Sequence, residues 1–86
     1  MDNNNEITGI LRAARALLQI SQDDLARLAG VSRATISRIE NNEEGVALKQ
    51  IDRVRTALER AGAHFFDSSE KYGPHVGTIR PEPRDR

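Results

Sequence analysis

Two arginines, Arg33 and Arg38, are the residues whose type and spacing favour a specific chemical role. A guanidinium group can donate two hydrogen bonds to one pair of acceptors. Two arginines at this spacing are also common as ordinary solvated residues on the outside of a helix. Their role therefore depends on the segment that carries them and on whether its geometry is fixed.

Catalytic and metal-binding chemistry find little support in the sequence. The chain has no cysteine, which excludes disulfides and cysteine-based zinc or thiol chemistry. His64 and His75 are the only histidines, and a metal site needs three or four converging ligands. Asp23 and Asp24 are adjacent, so on a helix they would not face one another as a catalytic dyad. The sequence predicts no catalytic residue, no metal site and no cofactor.

Length and composition indicate one small domain outside the membrane. A chain of 86 residues buries little more than half of its unfolded surface, which favours compact helical packing. No apolar run approaches the ~20 residues of a membrane span, and the N-terminus lacks a signal peptide. We therefore expect a cytoplasmic protein. Thirteen basic residues balance thirteen acidic ones, so the net charge alone does not favour a nucleic-acid partner.

The spacing of apolar residues predicts four helices. The first begins at Ile7 after a flexible arm of residues 1–6, and the second and third begin after the N-cap residues Ser21 and Ser32. The fourth begins at residue 46 or 47 and ends before Gly62, with Leu48 at the start of its inner face.

Residues 22–41 have the features of two short helices that cross at a steep angle. Ala26 is small enough for the crossing point, and Gly30 tolerates the positive φ of a tight turn. Ile36 and Ile39 then point into the core and fix the second helix of the pair. That helix presents outward Arg33, Ala34, Ser37 and Arg38.

The same stretch resembles the phage repressor/Cro-type helix-turn-helix family, also called the XRE family. The pattern S-Q-x-x-L-A-x-x-A-G-V-S lies at residues 21–32, and R-A-T-I-S-R-I-E follows at residues 33–40. The similarity runs from about Ile10 to Gly62. It implies a mainly α fold, a four-helix repressor-like bundle over residues 7–62, whose third helix lies in the major groove of double-stranded DNA.

The resemblance also implies a role for individual residues. An arginine at a base-reading position can donate to the O6 and N7 of guanine, and an alanine can contact a thymine methyl group. The base-reading positions are Arg33, Ala34, Ser37 and Arg38. Contacts with the DNA backbone are expected from Gln22, Ser32, Thr35, Asn41 and Asn42.

Two further positions matter to this resemblance. Arg15 and Glu40 match a pair that forms a structural ion pair between the first and third helices in the family. The loop after the third helix often carries Lys or Arg in the family, whereas this chain has Glu43 and Glu44. Carboxylates beside phosphate would weaken DNA binding, so we expect few cationic phosphate contacts and a modest salt dependence.

Residues 63–80 are predicted to form two short strands, 63–66 and 75–80, joined by a turn-rich loop, and residues 81–86 a disordered tail. An isolated hairpin is only marginally stable in water, so this one needs a partner surface. It either covers the base of the helical bundle or forms a two-fold interface. The residues expected at such a dimer interface are Phe65, Phe66, Val76 and Ile79.

These features favour a dimeric transcriptional regulator that binds an inverted-repeat operator, because one recognition helix reads too few base pairs for useful specificity. A repressor is favoured, because nothing beyond the DNA-reading domain is present to sense a ligand. One alternative is an antitoxin of the same fold, which binds DNA and a toxin partner through its C-terminal segment. Another is a protein-interaction module that has lost DNA binding, as the Glu43–Glu44 loop would allow.

Overall fold

The computed structural model describes residues 3–79, with side chains described from Glu6 onward. The first two residues, Arg80 and the tail predicted at residues 81–86 lie outside the described residues. Four helices precede a two-stranded sheet, as the mainly α prediction with a C-terminal hairpin required. The elements are α1 (Asn3–Leu18), α2 (Gln22–Ala29), α3 (Arg33–Glu40), α4 (Leu48–Arg60), β1 (Ala63–Phe66) and β2 (His75–Thr78).

Helix α1 begins at Asn3 rather than at Ile7. The segment 3–6, which the sequence predicts as a flexible arm, therefore continues the helix. Extending an existing helix adds one hydrogen bond for each residue fixed, so a polar stretch can follow without apolar periodicity. Glu6 in the first turn also interacts favourably with the helix dipole.

The two helices of the helix-turn-helix pair begin at side-chain caps. The Ser21 hydroxyl accepts from the Asp24 backbone N–H at 3.0 Å, and the Asp24 carboxylate accepts from the Ser21 backbone N–H. Ser32 caps α3 by accepting from the Thr35 backbone N–H at 3.1 Å. Gly30 ends α2 at φ 70°, in the left-handed region that glycine adopts without strain. These contacts set the relative positions of α2 and α3 from local sequence.

The core lies where the four helices and the inner face of the sheet meet. Leu25, Ile36, Val54 and Leu58 are its largest fully buried side chains. Each comes from α2, α3 or α4, while α1 contributes Leu11 and Ala14. Helices α2 and α3 are therefore held against the rest of the bundle by apolar packing, which is the main stabilising contribution in a domain of this size.

Helix α4 differs from the prediction at its start. It begins at Leu48, with Ala47 as an N-cap that makes no side-chain hydrogen bond. Leu48 was predicted on the inner face, but it is 71% exposed. At about 100° of rotation per residue, Leu48 lies about 120° around the helix from the buried Val54, at the edge of the apolar stripe and turned away from the core. Within residues 3–79, no helix combines the length and apolar character needed to cross a membrane.

The two strands pair antiparallel, with Phe65 opposite Val76 and Phe66 opposite His75. Ala63 is buried, and Phe65 and Val76 pack partly buried against the core. The sheet therefore covers α1 and α4 with one face and leaves the other face to solvent. This packing provides the partner surface that an isolated hairpin lacks.

Candidate nucleic-acid interface

Helix α3 has a buried side and an exposed side. Ile36 and Ile39 are buried, whereas Arg33, Ala34 and Arg38 are exposed, and Ser37 is half-buried. At about 100° of rotation per residue, the four predicted base-reading residues span about 140° of the helix circumference. The two small residues occupy the middle of this stripe and the two arginines its edges. The arrangement allows close approach at the centre and long donors on both sides.

Arg33 lies beside a carboxylate of α2. Its Nε is 3.6 Å from an Asp23 side-chain oxygen, and both side chains are largely exposed. An exposed ion pair of this kind contributes little to stability. It biases the guanidinium toward α2 while leaving Arg33 accessible from solvent.

A polar cluster fixes α3 relative to α1 and α2. Arg15 of α1 donates to both carboxylate oxygens of Glu40, from Nε at 2.6 Å and from Nη2 at 3.0 Å. The Gln22 amide of α2 donates to the same carboxylate at 3.0 Å. Arg15 also donates to the backbone carbonyl of Ile20 at 3.0 Å. Glu40 is buried, and these partners satisfy a charge that would otherwise be costly to bury.

The titration of this cluster follows from its contacts. Burial alone raises the pKa of Glu40, but the hydrogen bonds from Arg15 and Gln22 outweigh that effect, so the pKa is lowered. The hydrogen bond with Glu40 raises the pKa of Arg15. Both groups are therefore held in their charged forms at neutral pH, and the cluster acts as a structural unit at the end of α3.

The residues predicted to contact the DNA backbone are placed in different ways. Ser32 is exposed, although its hydroxyl is engaged in capping α3. Gln22 uses one amide donor on Glu40, and a primary amide has a second one. Thr35 differs from the prediction: its residue is only 8% exposed, and its hydroxyl lies 2.9 Å from that of Ser32. The structure thus places Thr35 beneath the surface, where it supports the α3 cap.

The loop after α3 carries the last two predicted backbone contacts. Asn41 is exposed, and its amide lies 3.4 Å from the Ser37 hydroxyl. Asn42 is half-buried at φ 55°, and its side-chain oxygen accepts from the Thr8 hydroxyl at 3.3 Å. The structure therefore leaves Asn41 at the surface beside the exposed stripe of α3 and turns the Asn42 side chain toward α1.

A helix-turn-helix family model matches residues 11–60, more than half of the chain. The chain belongs to the XRE-type helix-turn-helix family. The match covers the second half of α1 and all of α2, α3 and α4, the elements that position the exposed stripe. No solved structure gives a significant match to the chain.

Curated relatives of this helix-turn-helix protein are transcriptional regulators. The sucrose operon repressor of Vibrio alginolyticus is 48% identical over 42 residues, which are 49% of this chain and 45% of that protein. The HTH-type transcriptional regulator TreR of Salmonella typhimurium is 44% identical over 39 residues, 45% of this chain and 12% of that protein. TreR of Escherichia coli gives the same identity over the same length. The chain thus spans less than half the length of these relatives.

The residues predicted at a dimer interface fall on two sides of the sheet of this helix-turn-helix protein. Phe65 and Val76 are half-buried and pack against the core, so only part of each side chain remains at the surface. Phe66 and Ile79 are 44% and 64% exposed. On the outer face, the Phe66 ring stacks on that of His75, with centroids 4.8 Å apart. Of the four predicted residues, Phe66 and Ile79 are the most exposed.

Sequence reasoning missed three contacts of the helix-turn-helix unit. The missed partners are Gln22 with Glu40, Asp23 with Arg33, and Thr8 with Asn42. Each pair is separated by 10 or more positions, and no local pattern links them. Within residues 3–79, no cluster of three or more His, Cys, Asp or Glu residues is arranged to hold a metal ion.

Proposed function

We propose that the chain is a non-enzymatic transcriptional regulator, acting as a repressor, that binds double-stranded DNA with α3 in the major groove. The observation that carries this proposal is the exposed stripe of α3 opposite its buried side. An α-helix with its side chains is about 10–12 Å across, which matches a major groove about 12 Å wide. The regulatory names of the relatives support the same function.

Arg33 and Arg38 are assigned the reading of bases. Each guanidinium can donate two hydrogen bonds to the O6 and N7 of one guanine. Ala34 and Ser37 lie between them on the helix and allow the backbone of α3 to approach the floor of the groove. The ion pair between the half-buried Arg15 and the buried Glu40 keeps this stripe in one orientation, which limits the entropy lost on binding.

Contacts with phosphate are assigned to the N-termini of α2 and α3 and to the loop after α3. The first backbone N–H groups of a helix have no partner within the helix, and they attract anions. The second amide donor of Gln22 adds to the site at α2, and Asn41 adds a neutral donor at the loop. Thr35 is left out of this set because it is buried.

Two copies are needed for useful specificity, because one recognition helix covers only a few base pairs. We therefore assign the exposed outer face of the sheet, with Phe66 and Ile79, to a homodimer interface. The sheet packs on α1 and α4, so a dimer formed there leaves both α3 helices accessible. The operator is then an inverted repeat with half-sites about one helical turn apart, and the regulator acts in the cytoplasm, where the DNA of its host lies.

The test is selection of an operator from random double-stranded DNA, followed by anisotropy titrations of the selected sequence. Replacing both arginines (Arg33→Ala with Arg38→Ala) should weaken binding by more than about a hundredfold, because each paired contact with guanine contributes about 1–3 kcal/mol. Specificity over a scrambled sequence should disappear together with affinity.

A matched control removes the same charge from α4, with Arg53→Ala and Arg60→Ala. Both residues are exposed, so this variant should change operator affinity only a few-fold through general electrostatics. Equal losses of operator affinity in the two double variants would show that the arginines of α3 contribute only nonspecific electrostatic attraction. Binding that is equally weak on every sequence, for wild type and variants alike, would contradict the proposal.

A further inference from the structure

A groove on the side of the bundle is not explained by DNA binding. It lies between the start of α1, the loop 41–45 and the start of α4, and encloses about 560 Å³. Two of its aliphatic side chains are largely uncovered, since Leu48 is 71% and Ile7 46% exposed. The aliphatic lining residues are Ile7, Ile39, Val46, Leu48 and Ile51. Ile39 is buried, and Val46 and Ile51 are half-buried, so the exposed apolar part of the groove is formed mainly by Ile7 and Leu48; exposed aliphatic side chains that share a groove with polar residues at its rim are a feature of surfaces that bind a partner.

The loop that forms one wall of the groove has a defined conformation. The Glu43 backbone N–H donates to the Arg38 carbonyl at 2.9 Å, and Thr8 donates to the Asn42 side chain at 3.3 Å. Asn42 and Gly45 both adopt positive φ, at 55° and 88°. The groove is therefore part of the folded structure, with a shape set by hydrogen bonds that connect α3, α1 and the loop.

The rim of the groove is acidic. Glu43 and Glu44 line it and are exposed. Among the described residues neither forms an ion pair, and no Lys or Arg lines the groove. Two adjacent carboxylates without a cation repel phosphate and attract positively charged groups.

We propose that this acidic groove (Ile7, Ile39, Glu43, Glu44, Val46, Leu48 and Ile51) binds a positively charged amphipathic segment of a partner protein. Leu- or Ile-type side chains of the segment cover the aliphatic lining, and Lys or Arg side chains pair with the two carboxylates. This division of labour is typical of segments that dock in apolar grooves.

A second copy of the chain is the alternative occupant, since α4 presents Lys49, Arg53 and Arg60 beside the exposed Leu28. The self-association of Leu48→Ser distinguishes it from a separate partner. Among the cations of α3, Arg33 and Arg38 are exposed and are assigned to DNA, so a copy docked through them could not bind DNA. The outer face of the sheet, assigned to the homodimer, offers aromatic rings and Ile79 rather than an excess of cations. A partner segment in the groove leaves α3 free and lies beside the DNA.

The test begins with random twelve-residue peptides displayed on phage and selected on the full chain without bias toward charge. Selected sequences should be enriched in Lys or Arg together with Leu, Ile, Val or Met. A synthetic peptide of the leading sequence should bind about tenfold more weakly to the Glu43→Gln/Glu44→Gln variant, the loss expected for two surface charge contacts. It should also perturb the methyl NMR signals of Val46, Leu48 and Ile51.

The matched control is the Asp67→Asn/Glu70→Gln variant, which removes the same charge from two exposed residues outside the groove. It should bind the peptide within about twofold of wild type, since distant surface charges are screened. Leu48→Ser provides a second variant for the peptide titration and for self-association. Because Leu48 is exposed, this substitution should leave the fold intact. A selection with no binder, peptides without positive charge, or equal loss in the control would each overturn the proposal. So would loss of self-association in Leu48→Ser, which would assign the groove to a second copy.

Peptide binding in the groove does not require that the chain bind DNA, although the preference for a separate partner over a second copy rests on the proposed function. If the operator selection fails while the peptide result holds, DNA reading is wrong and the groove stands. If the peptide result fails while the operator is bound, only the groove is wrong. The two outcomes are measured on the same protein with different ligands.

Discussion

Glu40 connects three helices through one carboxylate. It belongs to α3, accepts two hydrogen bonds from Arg15 of α1, and accepts a third from Gln22 of α2. The cluster reduces the cost of burying the carboxylate and makes its ionisation part of folding stability. Because the proposed base-reading stripe is on the same short helix, the orientation of that stripe depends on the cluster.

Replacing Glu40 with glutamine should lower the free energy of unfolding at pH 7 by about 1–3 kcal/mol, the range for hydrogen bonds to charged groups. The folded-state pKa of Glu40 is lowered, so its stabilising contribution is present above the ordinary glutamate pKa of about 4.3. That contribution is lost as the pH falls through the folded-state value. Urea unfolding of wild type and Glu40→Gln from pH 7 to pH 3 should show the two stabilities converge in acid.

Asp24→Asn is the control for this pH dependence. The pKa of Asp24 is also lowered, chiefly by its hydrogen bonds with Ser21, but the group is exposed in the first turn of α2. Wild type and Asp24→Asn should differ less than wild type and Glu40→Gln at pH 7. A constant gap between wild type and Glu40→Gln across the whole range would show that ionisation of Glu40 does not contribute to stability.

At the scale of elements, the turn between α2 and α3 depends on the backbone conformation of Gly30. The residue has φ 70°, and a Cβ placed there would meet nothing within 4 Å. The requirement for glycine is therefore conformational, since an L-residue in this region is strained without any clash. Gly9 in α1 has equally open surroundings and does not have a positive φ.

These two glycines give a matched pair of alanine substitutions with opposite expected signs. Gly30→Ala should destabilise the chain by about 1–2 kcal/mol, because alanine is disfavoured in the left-handed region. Gly9→Ala should stabilise it by about 0.5–1 kcal/mol, because alanine is a better helix former than glycine. Thermal unfolding of the three proteins under one condition measures both effects. If both substitutions destabilise equally, the backbone conformation of Gly30 is not the cause.

At the scale of the whole molecule, the sheet packs on the helices and is also the proposed homodimer interface, and a deletion cannot separate the two. Ala63, Phe65 and Val76 pack on the helices, so removing the segment would expose core surface as well as any interface. Phe66 lies on the outer face and can be changed alone. A point substitution there tests the homodimer without opening the core.

Phe66→Ser should weaken self-association by at least about tenfold, because exposed aromatic residues dominate interfaces of this kind. Leu28→Ser removes an exposed aliphatic residue from α2 and should leave self-association unchanged. Sedimentation equilibrium over a range of concentrations measures both. Equal effects in the two variants, or no effect in Phe66→Ser, would remove the outer face of the sheet from the interface.

The charge distribution of the whole molecule predicts a modest salt dependence of DNA binding. The chain carries as many acidic as basic residues, and its loop after α3 is acidic. The proposed phosphate contacts come from neutral donors, so the two exposed arginines of α3 set an upper limit. If each released one counterion, the four arginines of a dimer would give a log–log slope no steeper than about −3.6. Anisotropy titrations between 50 and 200 mM salt, values at which such slopes are commonly compared, measure it. A slope twice as steep would require cations from outside α3.

Much of the fold follows from local sequence. Ser21, Gly30 and Ser32 determine where α2 and α3 begin and end, because caps and left-handed turns depend on neighbouring residues. The two strands were likewise predicted from local patterns. The start of α1 was not, because a polar helical extension has no periodicity that distinguishes it from an arm.

The exposed stripe of α3 and the buried residues opposite it could be predicted from the sequence because both depend on helical spacing. Arg33 and Arg38 are exposed where Ile36 is buried, and the periodicity of a helix imposes that division once the inner face is known. The sequence by itself therefore determined the family, the helix that carries the stripe and the residues facing outward on it.

The tertiary structure decided what periodicity leaves open. Successive residues of a strand point to opposite faces, so Phe65 and Phe66 could not both face a partner, and the docking of the sheet on α1 and α4 chose Phe65 for the core. The burial of Thr35, the bond from Gln22 to Glu40 and the acidic groove join residues from separate segments. Such contacts depend on how the elements pack, because the residues are far apart in the sequence and local sequence patterns do not show which of them meet.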